Sequence, residues 1–346
     1  MKKKLLSVMV CGLTVALLAI GCTKQTVEDA KETTIDLSGE EYTIGISQFA
    51  EHESLNECKT AFLDTLASAG LVEGENLTVI YQCAGNEEIR AKQIATSFLS
   101  SDVNLVYGIG TTSAQTVCQS FANTDIPVVF AAVTDPIRAE LADEDGVQKT
   151  EITGISNPAM VEEALELIQN ILPKAKKVGI IYSANESNAK GIVEEYRNNA
   201  PNYGMELVTR SVDAVQNISG AADEILPDVD CLINITDNGV TSTLSNILAK
   251  ANEMQIPVFG SDMTQVKMGC IAAAGVNYTE IGNQAGDMAL QILAGERKAS
   301  EIAFRANHIC ETYVNTSVAE TLEIEIPEEV LENAAETFDD VEENEE

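Results

Sequence analysis

Short apolar runs alternate with amphipathic stretches along most of this chain from Tyr42 onward. Residues 42–49 read as a strand. Residues 54–69 predict a helix that puts Leu55, Cys58, Phe62, Leu66 and Ala69 on one face. A strand at 77–83, a helix at 87–101, a strand at 105–109, a helix at 113–122 and a strand at 127–131 come next. The strands are continuous apolar runs, as in a parallel sheet covered on both faces. The order βαβαβαβ predicts an α/β fold with right-handed crossovers.

The pattern then restarts. Helices are expected at 161–172, 188–199, 215–225 and 241–254, and strands at 178–182, 206–209, 231–235 and 258–260. Ile126-Pro127-Val128 is echoed by Ile256-Pro257-Val258. The spacing from Ile44 to Ile126 is 82 residues, and from Val178 to Ile256 it is 78. A repeat of this size predicts two similar, doubly wound lobes with parallel sheets. Segments 153–158, 272–276 and 303–315 read as crossings between them, with a helix at 281–293 returning to the first lobe. Lobe one is thus assigned residues 41–156 plus 277–305, and lobe two 157–276 plus 306–334. Several crossings between two α/β lobes make a multi-strand hinge, so the pair should close on a ligand.

The two ends lie outside these lobes. Lys2, Lys3 and Lys4 precede an apolar run from Leu5 to Ile20 and then Gly21-Cys22, the arrangement of a secretory signal over 1–21. Leu18-Ala19-Ile20-Gly21-Cys22 resembles a bacterial lipobox, which implies lipidation of Cys22. Residues 22–40 then form a polar tether from that anchor. From Glu323 to Glu346 there are twelve acidic residues and no Lys or Arg, and 335–346 read as a solvated acidic tail.

Composition narrows the function. Of 346 residues, 55 are acidic and 21 are Lys or Arg, a formal net charge of −34. Such a surface repels phosphate backbones, which excludes nucleic-acid partners. Two histidines, His52 and His308, are too few for a multi-His metal site or a His-based triad. Walker A, GxSxG and HExxH motifs are missing, so no catalytic residue, metal or cofactor is expected. Gly108-Ile109-Gly110 starts like a dinucleotide loop, but Ser113 replaces the last glycine. Cys58, Cys83, Cys118, Cys231, Cys270 and Cys310 form no CxxC pair, and several fall within apolar periods, which favours mostly free, buried thiols.

In open α/β sheets, ligands bind beyond the carboxyl ends of the strands. Those positions hold Ser47, Gln48 and Phe49, then Thr111, Thr112 and Ser113, then Thr134 in lobe one. In lobe two they hold Tyr182, Glu186, Asn188, Asp237 and Asp262. Gly110-Thr111-Thr112-Ser113 opens a helix whose amides suit a carboxylate, and Thr112 or Ser113 also reads as a plain cap. Asp237 and Asp262 read either as acceptors for an ammonium group or as helix caps. Phe49 and Tyr182 suit an apolar ligand side chain or ordinary packing. His52, before the first helix, reads as structural.

Several segments together resemble the substrate-binding lipoproteins of ABC importers of the tryptophan/tyrosine type, which have a type I periplasmic-binding-protein fold. They are Ile44-Gly45-Ile46-Ser47-Gln48-Phe49-Ala50-Glu51-His52, Gly110-Thr111-Thr112-Ser113-Ala114-Gln115 and Pro127-Val128-Val129-Phe130-Ala131-Ala132-Val133-Thr134-Asp135-Pro136. Thr236-Asp237-Asn238, Gly275-Val276-Asn277-Tyr278 and Tyr313-Val314-Asn315 extend the likeness. The resemblance implies an aromatic amino acid held between the lobes of a monomer and passed to an ABC permease and its ATPase. It also implies export, with the membrane touched only through the lipid on Cys22. Another small solute, or a sensor role, stays open on the same scaffold.

Overall fold

The computed structural model describes residues 35–143 and 150–341. The signal segment, Cys22 and most of the tether lie outside the described residues. Thirteen strands among the described residues form two sheets. They are β1 (Tyr42–Gln48), β2 (Leu77–Cys83), β3 (Leu105–Ile109), β4 (Val128–Val133), β5 (Ile152–Ser156), β6 (Lys177–Ser183) and β7 (Glu206–Val212). Next come β8 (Cys231–Ile233), β9 (Val258–Asp262), β10 (Ala272–Val276), β11 (Arg305–Ala306), β12 (Glu311–Asn315) and β13 (Glu336–Phe338). Lobe one has the order β11-β5-β4-β3-β1-β2 and lobe two the order β13-β12-β10-β9-β8-β6-β7. Pairing is parallel except between β10 and β12. The fold is therefore α/β, with the same strand order from β2 to β5 and from β7 to β10.

Strand alternation sends side chains to two cores per sheet. Ile44 and Ile46 of β1 pack on one face with Tyr107, Leu55 and Phe62. The opposite face of that sheet buries Phe98, Val106, Val117 and Phe130. Lobe two is layered in the same way. Helix Glu53–Ser68 lies along helix Tyr278–Leu293, and glycines set how closely. A Cβ on Gly282 would lie 2.3 Å from the Cys58 carbonyl oxygen, and one on Gly286 would lie 2.6 Å from Thr65 Cβ. Only glycine permits that approach. Helix Tyr278–Leu293 thereby docks on lobe one although β10, before it, belongs to lobe two.

The echoed Ile-Pro-Val segments enter equivalent strands, β4 and β9. The pairings β4–β5 and β9–β10 both shift register near their carboxyl ends, between Phe130 and Val133 and between Ala273 and Val276. Ala132, inside the first irregularity, takes φ 55°. Such bulges bend a strand end and re-aim the residues beyond it, here Thr134.

Several sequence expectations change. The helix expected over 241–254 is two helices, Asn238–Thr241 and Leu244–Glu253. The hydroxyls of Ser242 and Thr243 donate to Gly239 O and Val240 O, competing with helix continuation. The crossing segments are largely strand: 152–156 is β5 and 272–276 is β10. Ala306, assigned to lobe two, pairs with Ser156 in the lobe-one sheet, so the crossing falls after it. The acidic tail is also corrected. Glu336–Phe338 is β13, the edge strand beside β12, and Asn315 Nδ2 donates to Asp340 O. Charge counting missed it because a strand pairs through its backbone N–H and C=O groups whatever charge its side chains carry. The six cysteines of the described residues are free; Cys83 and Cys310 are half-buried and the other four buried.

Candidate functional site

The carboxyl ends of the two sheets face each other and touch. Ser54 Oγ of lobe one donates to Asp262 Oδ2 of lobe two at 3.2 Å. Thr264 Oγ1 donates to Glu57 Oε2 at 3.1 Å, and Asn86 Nδ2 to Ser242 Oγ at 3.3 Å. His52 Nε2 meets Asn238 Oδ1 at 3.3 Å. Farther along the rim, Arg138 Nη1 lies 3.6 Å from Glu194 Oε2. The lobes are thus closed on each other.

On the lobe-two side lies a carboxylate cluster without a cationic residue among its hydrogen-bond partners. Glu186 is 2% exposed. Its Oε2 accepts from Asn238 Nδ2 at 2.6 Å, Asn238 N at 3.2 Å and Asn188 Nδ2 at 3.3 Å, and its Oε1 from Gly239 N at 2.9 Å. Asp237 caps helix Asn238–Thr241 through Val240 N at 2.9 Å. It also accepts from Ser183 N at 2.5 Å and Ser183 Oγ at 2.8 Å. Burial, and then the charge of Asp237, push the Glu186 carboxyl up to about 8. Burial likewise raises Asp237. Two buried carboxyl groups with neutral donors around them form a site where an arriving cation would stabilise the ionised form.

On the lobe-one side, helix Thr111–Phe121 begins after Gly110, which has φ 86°. No side chain caps this helix. A Cβ on Gly110 would lie 3.6 Å from Asn238 Oδ1. The positive end of the helix dipole and the Glu186 cluster therefore both lie against the Asn238 amide. Thr111 and Ser113 are buried and Thr112 half-buried. Ser113 Oγ and Ser47 Oγ are 3.0 Å apart, tying the end of β1 to the helix start.

Around the strand ends, several buried polar atoms have no hydrogen-bond partner in the protein: Gln48 Oε1, His52 Nδ1, Thr134 Oγ1, Asn157 Oδ1 and Asn188 Oδ1. Each amide here has its nitrogen engaged. Gln48 Nε2 donates to Ala50 O and Asn56 Oδ1, Asn188 Nδ2 to Glu186 and to Thr236 O, and Asn157 Nδ2 to Tyr278 Oη. The unengaged amide atoms are oxygens, so what they call for is a donor.

Other expected site residues are placed differently. Phe49 is buried in the lobe-one core with Ala84, Ala91 and Phe98, and Tyr182 packs on the lobe-two core. Strand alternation turns both toward a sheet face. Asp262 caps helix Met263–Lys267 through Gln265 N at 3.0 Å and also accepts from Gln265 Nε2 and Ser54. Burial pushes its carboxyl up to about 6. It caps the helix, as its alternative reading has it, and also ties the lobes together. A pocket of about 20 Å³ at the hinge, lined by Asn157, Met160, Ile192, Tyr196, Thr236 and Val276, fits a water rather than an aromatic ring. Asn157 and the bridging role of His52 escaped the sequence reading, which places Asn238 after its strand without a contact role. The Thr236-Asp237-Asn238 loop after a strand was the available signal for Asn238.

This fold, with polar groups gathered where two lobes meet, is that of a solute-binding protein. The family model for ABC transporter substrate binding proteins matches residues 43–338, and the chain belongs to that family. It is 32% identical over 295 residues to a tyrosine-binding protein of Clostridioides difficile (strain R20291), covering 85% of each chain. A conserved domain protein from Vibrio cholerae superposes with a TM-score of 0.82 at 32% identity, over 86% of this chain and all of that one. An ABC domain in complex with L-Trp from Streptococcus pneumonia gives 0.80 at 26% identity, over 85% and 100%. A ligand-free, open substrate-binding protein with adhesive properties from Clostridium difficile gives 0.64 at 30% identity, over 87% and 100%. Among the described residues no helix is long and apolar enough to cross a membrane.

Proposed function

We propose that this protein captures an aromatic amino acid between its lobes and delivers it to an ABC permease served by an ATPase. The ligand's ammonium would sit at Glu186 and the unengaged oxygens near it, with Asp237 behind. Its carboxylate would sit at the amides of Thr111, Thr112 and Ser113. The observation that carries this reading is the buried Glu186–Asp237 pair, surrounded by neutral donors and opposite an uncapped helix start. An α-amino acid presents the complementary charges as two groups on one α-carbon. The tyrosine-binding relative and the L-Trp complex support an aromatic side chain. Binding is reversible and no chemical step is assigned. The apolar run before Gly21-Cys22 supports export and anchoring through lipid on Cys22.

A thermal-shift screen of the twenty amino acids, with nucleosides and sugars, tests this. A ligand at a thousandfold excess over its Kd stabilises by about 4 kcal/mol. Shifts with Trp, Tyr or Phe are expected. A shift confined to a sugar or nucleoside would overturn the ligand class.

A further inference from the structure

Asn238 is hydrogen-bonded on both sides. Its Nδ2 donates to Glu186 Oε2 at 2.6 Å, within lobe two. Its Oδ1 faces His52 Nε2 of lobe one at 3.3 Å and lies beside Gly110. An amide has one donor end and one acceptor end. Donation to the carboxylate therefore obliges the oxygen to face the other lobe. His52 must then hold its proton on Nε2 and carry a bare lone pair on Nδ1. That Nδ1 is buried and has no partner in the protein. Burial pushes the His52 imidazole down to about 4, which keeps the ring neutral, as this arrangement requires.

We propose that Asn238 and His52 form a latch that couples the ligand-binding carboxylate Glu186 to closure of the lobes. The proposal rests on the reading of Glu186 as the ammonium site. Both latch residues are positioning residues. Glu186 orients the Asn238 amide, the oriented amide holds His52, and His52 carries the loop before helix Glu53–Ser68. The same loop and helix make the neighbouring ties from Ser54 and Glu57, so the latch sits where lobe one is gripped. A merely structural His52 would support its own loop and would be indifferent to Asn238.

The test uses the full chain and two readouts. Interlobe distances are measured by electron–electron resonance between unnatural-amino-acid spin labels at two exposed positions, Ile89 in lobe one and Met254 in lobe two. His52→Ala and Asn238→Ala are expected each to shift the ligand-free distance distribution toward longer values. The double variant should shift it no further than Asn238→Ala alone, and His52→Gln, which keeps an N–H donor, should restore the short distances. This readout needs no ligand, so it stands even where no amino acid binds and the proposed function fails. With a bound amino acid, His52→Ala should raise the dissociation rate about 3- to 10-fold, the worth of one neutral hydrogen bond, with the association rate unchanged. Additive effects of the two substitutions, or unchanged distances in His52→Ala, would overturn the latch.

Discussion

Glu186 is a buried carboxyl that accepts hydrogen bonds from Asn188, Asn238 and Gly239, all of them neutral. Its carboxyl is pushed up to about 8 by burial and by Asp237, and linkage sets its contribution to stability. A carboxyl whose folded pKa is raised contributes stability that is full below the unfolded value near 4.5 and is lost as pH rises through about 8. The melting temperature of the ligand-free protein should therefore fall between pH 6 and 9, with a shallower fall in Glu186→Gln. An ammonium arriving at Glu186 should expel its proton, so affinity should rise from pH 6 to pH 8. Calorimetric titrations in phosphate and Tris buffers should differ by the proton released, and the difference should vanish in Glu186→Gln. Identical heats in both buffers for the unaltered protein would refute this. Glu186, Asn188 and Asp237 were legible because they come after strands in loops rich in polar residues. Their internal pairing was not. His52 and Asn238 are 186 positions apart, and spacing along the chain holds no trace of a contact made only when two lobes meet. Phe49 was ambiguous because a strand-end aromatic reads the same whether it covers a ligand or a core.

Among the elements, periodic apolar runs were readable wherever burial was continuous. β3 was placed with the bounds the sequence predicted, and the first helix nearly so. The elements that escaped are short and depend on context. Helix Asn238–Thr241 has four residues and exists because Asp237 caps it. β13 has three residues and is held by pairing with β12, by Thr316 Oγ1 donating to Phe338 O, and by Phe338 packing on the lobe-two core. Its acidic composition hid it. Ending the chain after Asn333 should strip this edge and lower the melting temperature by roughly 2–8 °C, as a loss of one or two kcal/mol does in a domain of about 150–250 residues. An unchanged melting curve would return the segment to the role of a solvated tail.

At the scale of the whole molecule, the internal repeat told of two lobes with equivalent strand orders, because each lobe needs its own buried sheet. It did not tell how far they close. Closure is a matter of a few polar contacts across the rim, each worth about 1 kcal/mol, and such contacts shift with what lies between the lobes. The similarity scores agree with the same geometry: 0.80 with the L-Trp complex against 0.64 with the open, ligand-free relative, despite the lower identity of the former. In the proposed function, the closed lobes bring an uncapped helix start and a buried carboxylate together on one zwitterion. Calorimetric titration tests it most directly, comparing L-tyrosine with tyramine, which lacks the carboxylate, and 3-(4-hydroxyphenyl)propionate, which lacks the amine. L-tyrosine should bind, with each analogue weaker by on the order of 100-fold, because each leaves one buried site unmatched. An analogue that binds as tightly as the amino acid would rule out recognition of both charged groups.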